Sequence, residues 1–374
     1  MQHQDRRHRS QTRKLRHDLE GRRLHPSNER HPVSCFITGC GSALPKRVVT
    51  NAEIAPMLGV TGDWIEANSG IRERRWVDAD QATSDLAVAA VRDALSDAGT
   101  PAEEVDYLIA CTISPDYQVP GIAPLVQHKL EGCPNVPAID LRAGCAAILY
   151  SLQLARGLIE SRAASTVVCL GAEAQSRGLD LHPRSADLSM LFGDGAGAVV
   201  VSSEAKLTEK AREYFVQIDD ILIETDGSFA EDLIVRAPGT ANGPRWLDES
   251  QVDSRMHYGS MHGRTVILQA VRKLADATDR ILIRNGLSPK QIDIVIPHQA
   301  NANLLTALGR KLCIETDRVV MNVDRLGNTS GASAFLALSQ AHREGRIRPG
   351  SRLLILAFGA GFTWGTALAT AVKP

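Results

Sequence analysis

Short β-branched and apolar runs punctuate the chain at 105–111, 166–170, 198–201, 292–296, 318–323 and 353–357, and their length and bounding turns predict buried strands. Between them lie small-residue segments with helical spacing. Leu86, Ala87, Ala90, Val91, Ala94, Leu95 and Ala98 fall on one stripe and predict a helix over 84–98. Ala147, Ile148, Ser151, Leu154, Ala155 and Leu158 predict another over 146–161. Strands alternating with helices indicate an α/β fold. The longest apolar stretch, 353–362, is about ten residues with glycines in it, whereas a bilayer span needs ~18. No transmembrane helix and no membrane partner are expected.

An internal repeat says more than any single element. "DALSDAGTPAEEVDYLIACTIS" and "DRILIRNGLSPKQIDIVIPHQA" share one grammar of helix, glycine stop, proline restart and strand. Gly99 corresponds to Gly286 and Val105 to Ile292, both at an offset of 187. Farther on, "LARGLIESRAASTVVCLGAE" matches "SQAHREGRIRPGSRLLILAFGA" at an offset near 186. Two ordered matches at nearly one offset predict a duplicated α/β unit. The same offset carries Cys145 onto Gly331. Each half then has a strand ("VPAIDL", "RVVMNV"), a tight small-residue turn ("RAGCAA", "RLGNTSGAS") and a long helix. Halves packed face to face bring two helix N-termini to one point, where anions are favoured.

The chain of 374 residues is nearly neutral, with 42 Lys+Arg against 43 Asp+Glu and a net charge of -1. That balance hides a basic leader. Residues 1–32 hold nine Lys+Arg, four Asp+Glu and five His, leaving 33 basic and 39 acidic residues, or -6, on 33–374. Any nucleic-acid patch must lie in this leader, whose composition otherwise reads as a disordered tail, so no nucleic-acid partner is expected. The leader lacks the apolar core of a secretory signal, and its acidic residues do not suit a transit peptide. Seven cysteines form no CxxC pair and suit reduced, cytoplasmic thiols. No Cys/His spacing fits a zinc site, so no metal is expected. The chain divides into a tail over 1–32, a first half over 33–205 and a second over 206–374.

Cys145 stands in a turn at the start of the 146–161 helix, whereas Cys111 and Cys169 fall inside predicted strands, as small buried thiols do. A helix N-terminus favours negative charge, so the Cys145 thiol is expected to ionise readily. Alone, it reads equally well as a structural cysteine. His298 follows "IDIVIP" at the end of a strand, where open α/β sheets gather ligands, although a lone histidine there is commonly structural. Asn328 suits an N-cap as well as a binding role. Together the three make a Cys/His/Asn set on loops related by the repeat. "FGDGAGA" (192–198) leads into a strand rather than a helix, which excludes a dinucleotide fingerprint. "FGAGFTWG" (358–365) is a glycine-rich turn whose N–H groups suit half of an oxyanion hole.

The ordered motifs "FGDGAGA", "PHQAN", "GNTSGAS" and "FGAGFTWG", after a helix-start cysteine, closely resemble β-ketoacyl-acyl-carrier-protein synthase III of the thiolase superfamily, over about 33–374. "SGIRERRW" (69–76) resembles the N-terminal motif of that family. The resemblance implies a thiolase-like duplicated α/β unit in a five-layered α-β-α-β-α stack, assembled as a homodimer. It implies Cys145 as the nucleophile taking an acyl group from a thioester, with His298 and Asn328 hydrogen-bonding the malonyl thioester as CO2 leaves. The backbone N–H groups of Cys145 and Ala360 form the implied oxyanion hole. The implied reaction is a decarboxylative condensation to a β-ketoacyl product, with acyl-carrier protein or acyl-CoA bringing the thioesters and no cofactor. Acyl transfer to an alcohol or amine without decarboxylation is the alternative on this fold. Asn328 in place of a second histidine separates the chain from chain-elongating synthases.

For substrate contacts the resemblance implies Trp64, Asn301 and Arg184. Two arginines usual in the family are Asn68 and Ala186 here, with Arg177 or Arg184 as the expected substitute through a shifted loop. Carrier docking is expected from Gln299, Asn303, Arg310 and Lys311, with Asn303 standing where the family has arginine. "CAAI" replaces the usual Gly-Phe after the nucleophile, which suits a specialised acyl pathway. Residues 219–256 are expected to form a variable region near the substrate entrance.

Overall fold

In the computed structural model, which describes residues 34–207 and 213–373, five of the six apolar runs become strands of one nine-stranded sheet. The tail expected over 1–32 lies outside the described residues. The strands are β1 (Cys35–Ala43), β2 (Tyr107–Cys111), β3 (Ala138–Leu141), β4 (Thr166–Glu173), β5 (Gly195–Ser203), β6 (Phe215–Thr225), β7 (Ile294–Pro297), β8 (Arg352–Gly359) and β9 (Thr363–Val372). Their order is β7-β8-β9-β6-β1-β5-β4-β2-β3.

The repeat is written in that order. From the outer edge inward, the first half runs third, second, fourth, fifth, first strand. Val319, bridged in parallel to Val295, stands where the second half's third strand would be, and from there the second half runs the same way. Pairings around the second and fourth strands are parallel, and the two that follow are antiparallel, in both halves. The halves join where β1 meets β6 through Phe36↔Gln217 and Ile37↔Val216. Gly99 and Gly286 close equivalent helices in the left-handed conformation, at φ 59° and 65°.

Seven helices matter for the site: α1 (Gly62–Ser69), α2 (Thr83–Ala98), α3 (Ile122–Leu130), α4 (Ala147–Glu160), α5 (Gly263–Arg284), α6 (Ala302–Leu312) and α7 (Ser333–Arg343). Helices α4 and α7 each touch strands of both halves and form a middle layer. Helices α2 and α3 cover the outer face of the first half, and α5, with α6 on it, covers the outer face of the second. This gives the five layers α-β-α-β-α. A helix covered on two sides is apolar nearly all round. Hence Ile148, Leu149 and Leu152 are fully buried, and so are Phe335, Ala337 and Leu338. Leu154, placed on the buried stripe by periodicity, is 42% exposed, because Leu149 and Leu152 fill the second face instead.

The strand expected over 318–323 does not form. Thr316–Arg318 is a 3-10 turn, Val319 makes a single bridge, and a short helix starts at Val323. The reason is a side chain. Gln299 Oε1 accepts from the N–H groups of Asn322 and Val323, and its Nε2 donates to Val320 O, taking the groups a ladder would use. Among the described residues no helix is long and apolar enough to cross a membrane.

Candidate active site

Two 3-10 turns meet in the middle layer: Gly144–Ala146 leads into α4 and Ser330–Ala332 into α7. Gly144 adopts φ 51°, a left-handed conformation that glycine takes without a Cβ clash. Gly359, at the end of β8, lies so close that a Cβ there would come within 2.7 Å of Cys145 N. Ala360 N lies across from Gly144, where a Cβ would sit 3.7 Å away. Thr363 Oγ1 braces the two segments by donating to Ala143 O and Ala360 O. Cys145 Sγ is 3.5 Å from Ser330 Oγ.

The readily ionised thiol expected at Cys145 is corrected by this environment. Burial pushes the thiol up to about 11, the hydrogen bond to Ser330 draws it partly back, and Glu173 adds to the rise. Desolvation outweighs the helix terminus, since α4 begins only at Ala147, two residues beyond the sulfur. The resting group is a neutral thiol.

Strand β7 delivers His298, whose backbone N–H donates to Leu356 O at 2.7 Å. The side chain is buried, and Nδ1 has no hydrogen-bond partner. Burial pulls the imidazole down to about 3, so the ring is neutral, with one N–H donor and one lone pair. Asn328 is anchored by its backbone, donating to Leu191 O and accepting from Gly193 N–H, so the first glycine of "FGDGAGA" braces it. Its Oδ1 accepts from Ser330 N–H at 2.9 Å. That bond fixes the amide and leaves Nδ2 as its donor for the cavity.

Glu173 escaped the sequence reading. It ends β4, fully buried, and accepts from Ser114 Oγ at 2.6 Å, Thr112 Oγ1 at 3.2 Å, Ile113 N–H at 3.2 Å and Gly331 N–H at 3.2 Å. The signal was a lone acid in the apolar run "TVVCLGAEA". Burial raises it from 4.5 to about 7, against the pull of its hydrogen bonds, with Ser114 first among them. A folded value above the unfolded one means that the group's stabilising contribution is complete below pH 4.5 and is lost as pH rises through about 7. Glu173→Gln keeps an acceptor for Gly331 and does not titrate. Its melting temperature relative to the wild type should therefore climb from pH 4.5 to 7, and a difference flat in pH would contradict a buried, ionisable Glu173.

Cys145, His298 and Asn328 line one cavity of about 250 Å³. Trp64 and Asn68 of α1, Asn301 and Ile267 line its mouth, and Leu233 and Met261 reach it from the variable region or just beyond. Asn301 caps α6 by accepting from Asn303 N–H and Leu304 N–H, and its Nδ2 donates to Asn68 O. Asn303 is likewise tied to Ala67 O and Asn68 O. Arg310 and Lys311 are exposed on the last turn of α6. Arg184 does not line the cavity; its Nε turns to His182 Nδ1 on the surface. Arg177 is spent on the carbonyls of Asp78 and Ala79. Gln299 is corrected outright as a docking residue: it is fully buried, and its amide holds the 320–323 backbone. Among the described residues no three His, Cys, Asp or Glu side chains gather as metal ligands.

Residues 139–219 match the family described as 3-oxoacyl-[acyl-carrier-protein (ACP)] synthase III, and 282–371 match its C-terminal counterpart. A beta-ketoacyl-[acyl-carrier-protein] synthase III of Nitratidesulfovibrio vulgaris is 40% identical over 333 residues, covering 89% of this chain and 98% of the relative. The chain belongs to the 3-oxoacyl-[acyl-carrier-protein] synthase III family. A second synthase III, from Novosphingobium aromaticivorans, is 39% identical over 90% of this chain and 99% of its own. Among solved structures, the synthase III of Aquifex aeolicus superposes with a TM-score of 0.78 at 34% identity, covering 90% and 99% of the two chains. The priming β-ketosynthase of the R1128 polyketide pathway does so with a TM-score of 0.78 at 30% identity, covering 93% and 99%. Family membership and the five-layered fold agree.

Proposed function

We propose that this synthase III family member condenses an acyl thioester with malonyl-acyl-carrier protein, losing CO2 and giving a β-ketoacyl product. The observation that carries the reading is the convergence of Cys145, His298 and Asn328 on one cavity whose mouth lies beside Trp64. In the first half-reaction the Cys145 sulfur attacks the thioester carbonyl; the C–S bond to the carrier breaks, and the thiol proton ends on the departing carrier thiol. The N–H groups of Cys145 and Ala360 are the oxyanion donors of this step. In the second, the malonyl C–C bond breaks, CO2 departs, and the electron pair passes into an enolate held by the neutral His298 N–H and by Asn328 Nδ2. That enolate carbon attacks the acyl carbonyl, the C–S bond to Cys145 breaks, and the departing thiolate takes a proton from solvent to restore the thiol. The electrons balance within the substrates, so neither half-reaction needs an external oxidant or reductant, and the substrates arrive activated as thioesters.

Acyl-carrier protein is the partner of this reading, with acyl-CoA as an alternative donor. Arg310 and Lys311, exposed on the last turn of α6, suit an acidic carrier. A homodimer is supported by edge strand β3, where Ile139 is 40% exposed. The seven cysteines are all free, which fits the cytoplasm. The decisive experiment supplies malonyl-carrier labelled in the free carboxyl group together with acyl thioesters. Condensation releases labelled CO2 in step with β-ketoacyl product; acyl transfer to an alcohol or amine without CO2 release replaces this reading with the alternative.

A further inference from the structure

The cavity does not end at the groups the reaction uses. From the mouth it runs along one face of α5, past Gly263, Val266, Ala270 and Leu274, with Leu304 and Leu308 of α6 beside it. At ~1.5 Å per residue, the stretch from Gly263 to Leu274 is about 16 Å long. Leu274, Leu305 and Leu308 are each at most 4% exposed, so the inner end is closed. Past it lies a small void of about 10 Å³, bounded by Leu312, Ile314 and Val319, and Leu305, Leu308 and Leu356 line both spaces. The side chains around the closed end are aliphatic, with Phe358 beside them. A hydroxyl or carboxyl group placed there would lose its water without gaining a partner, whereas a hydrocarbon loses nothing.

We propose that this closed branch between α5 and α6 seats an unsubstituted aliphatic chain of the acyl donor, and that Leu308, between branch and void, sets the longest chain accepted. The inference rests on the condensation reading and names its substrate class. Leu308→Phe fills the branch; Leu308→Ala joins it to the void.

The test uses the full-length protein and both variants, each checked for a cooperative melting transition. Condensation is measured with acetyl, hexanoyl and decanoyl thioesters, and binding of decanoate by calorimetry. The ratio of kcat/KM for decanoyl over acetyl is expected to fall at least ~10-fold in L308F and to rise in L308A. Decanoate should bind L308F more weakly than the wild type. Ratios and affinities within about twofold of the wild type in both folded variants overturn the branch while leaving condensation intact. Absence of decanoate binding to both the wild type and L308A also overturns it. If the wild type condenses none of the donors, the functional reading falls, and the decanoate titration alone decides the branch.

Discussion

Replacing Cys145 by alanine is expected to lower β-ketoacyl formation by at least ~10⁴-fold while malonyl-carrier still releases labelled CO2. The two outcomes separate because different groups do the two jobs. The sulfur is the acyl acceptor, and alanine offers no lone pair in its place. The enolate donors come from the other half of the chain: His298 after β7 and Asn328 before α7. Alanine disturbs neither of them, because Asn328 is held by Leu191, Gly193 and the Ser330 N–H rather than by the thiol. Intact-protein mass spectrometry reads the same prediction without turnover. The wild type gains the mass of one acyl group from an activated thioester, and the alanine variant gains none. Product formed at the wild-type rate by the alanine variant would remove Cys145 from the chemistry.

Asn328→Asp is expected to be the complementary lesion, cutting malonyl decarboxylation by ~10²–10³-fold with Cys145 still able to take an acyl group. Aspartate has nearly the shape of asparagine and keeps the oxygen that accepts from Ser330 N–H. What it loses is the N–H aimed at the enolate, replaced by an oxygen that repels the developing negative charge. An undiminished rate of CO2 release would rule out that donor role. His298→Ala should cost a similar factor, and the same mass measurement shows whether acylation survives.

Much of the fold was legible because it rests on repetition. The offset of about 186–187 residues is enough to align Gly99 with Gly286 and the Cys145 turn with the Ser330–Ala332 turn, and the strand order repeats with them. The three site residues were legible as turn residues flanking predicted strands and helices. What escaped depends on burial, which a linear pattern does not carry. A helix-start cysteine reads as acidic until the depth of the turn is known, and burial then reverses the sign. Gln299 beside His298 looks like a surface amide until its side chain is seen replacing a β-ladder at Asn322 and Val323. Glu173 reads as the polar end of a strand, whereas it ties the loop after β2 to the turn before α7. Arg184 stood in, through a shifted loop, for a family arginine that is Ala186 here, but its guanidinium turns to His182 Nδ1 on the surface and not to the cavity.

The middle layer leaves neither half with an inner wall of its own. Cut between Ser203 and Phe215, each fragment would expose to water a sheet face and a helix whose leucines and alanines are fully sequestered in the intact chain. The thiol would depart with one fragment and the imidazole and carboxamide with the other. Reactivity thus belongs to the seam: any perturbation that parts the turn before α4 from the turn before α7 separates the sulfur from the other two groups.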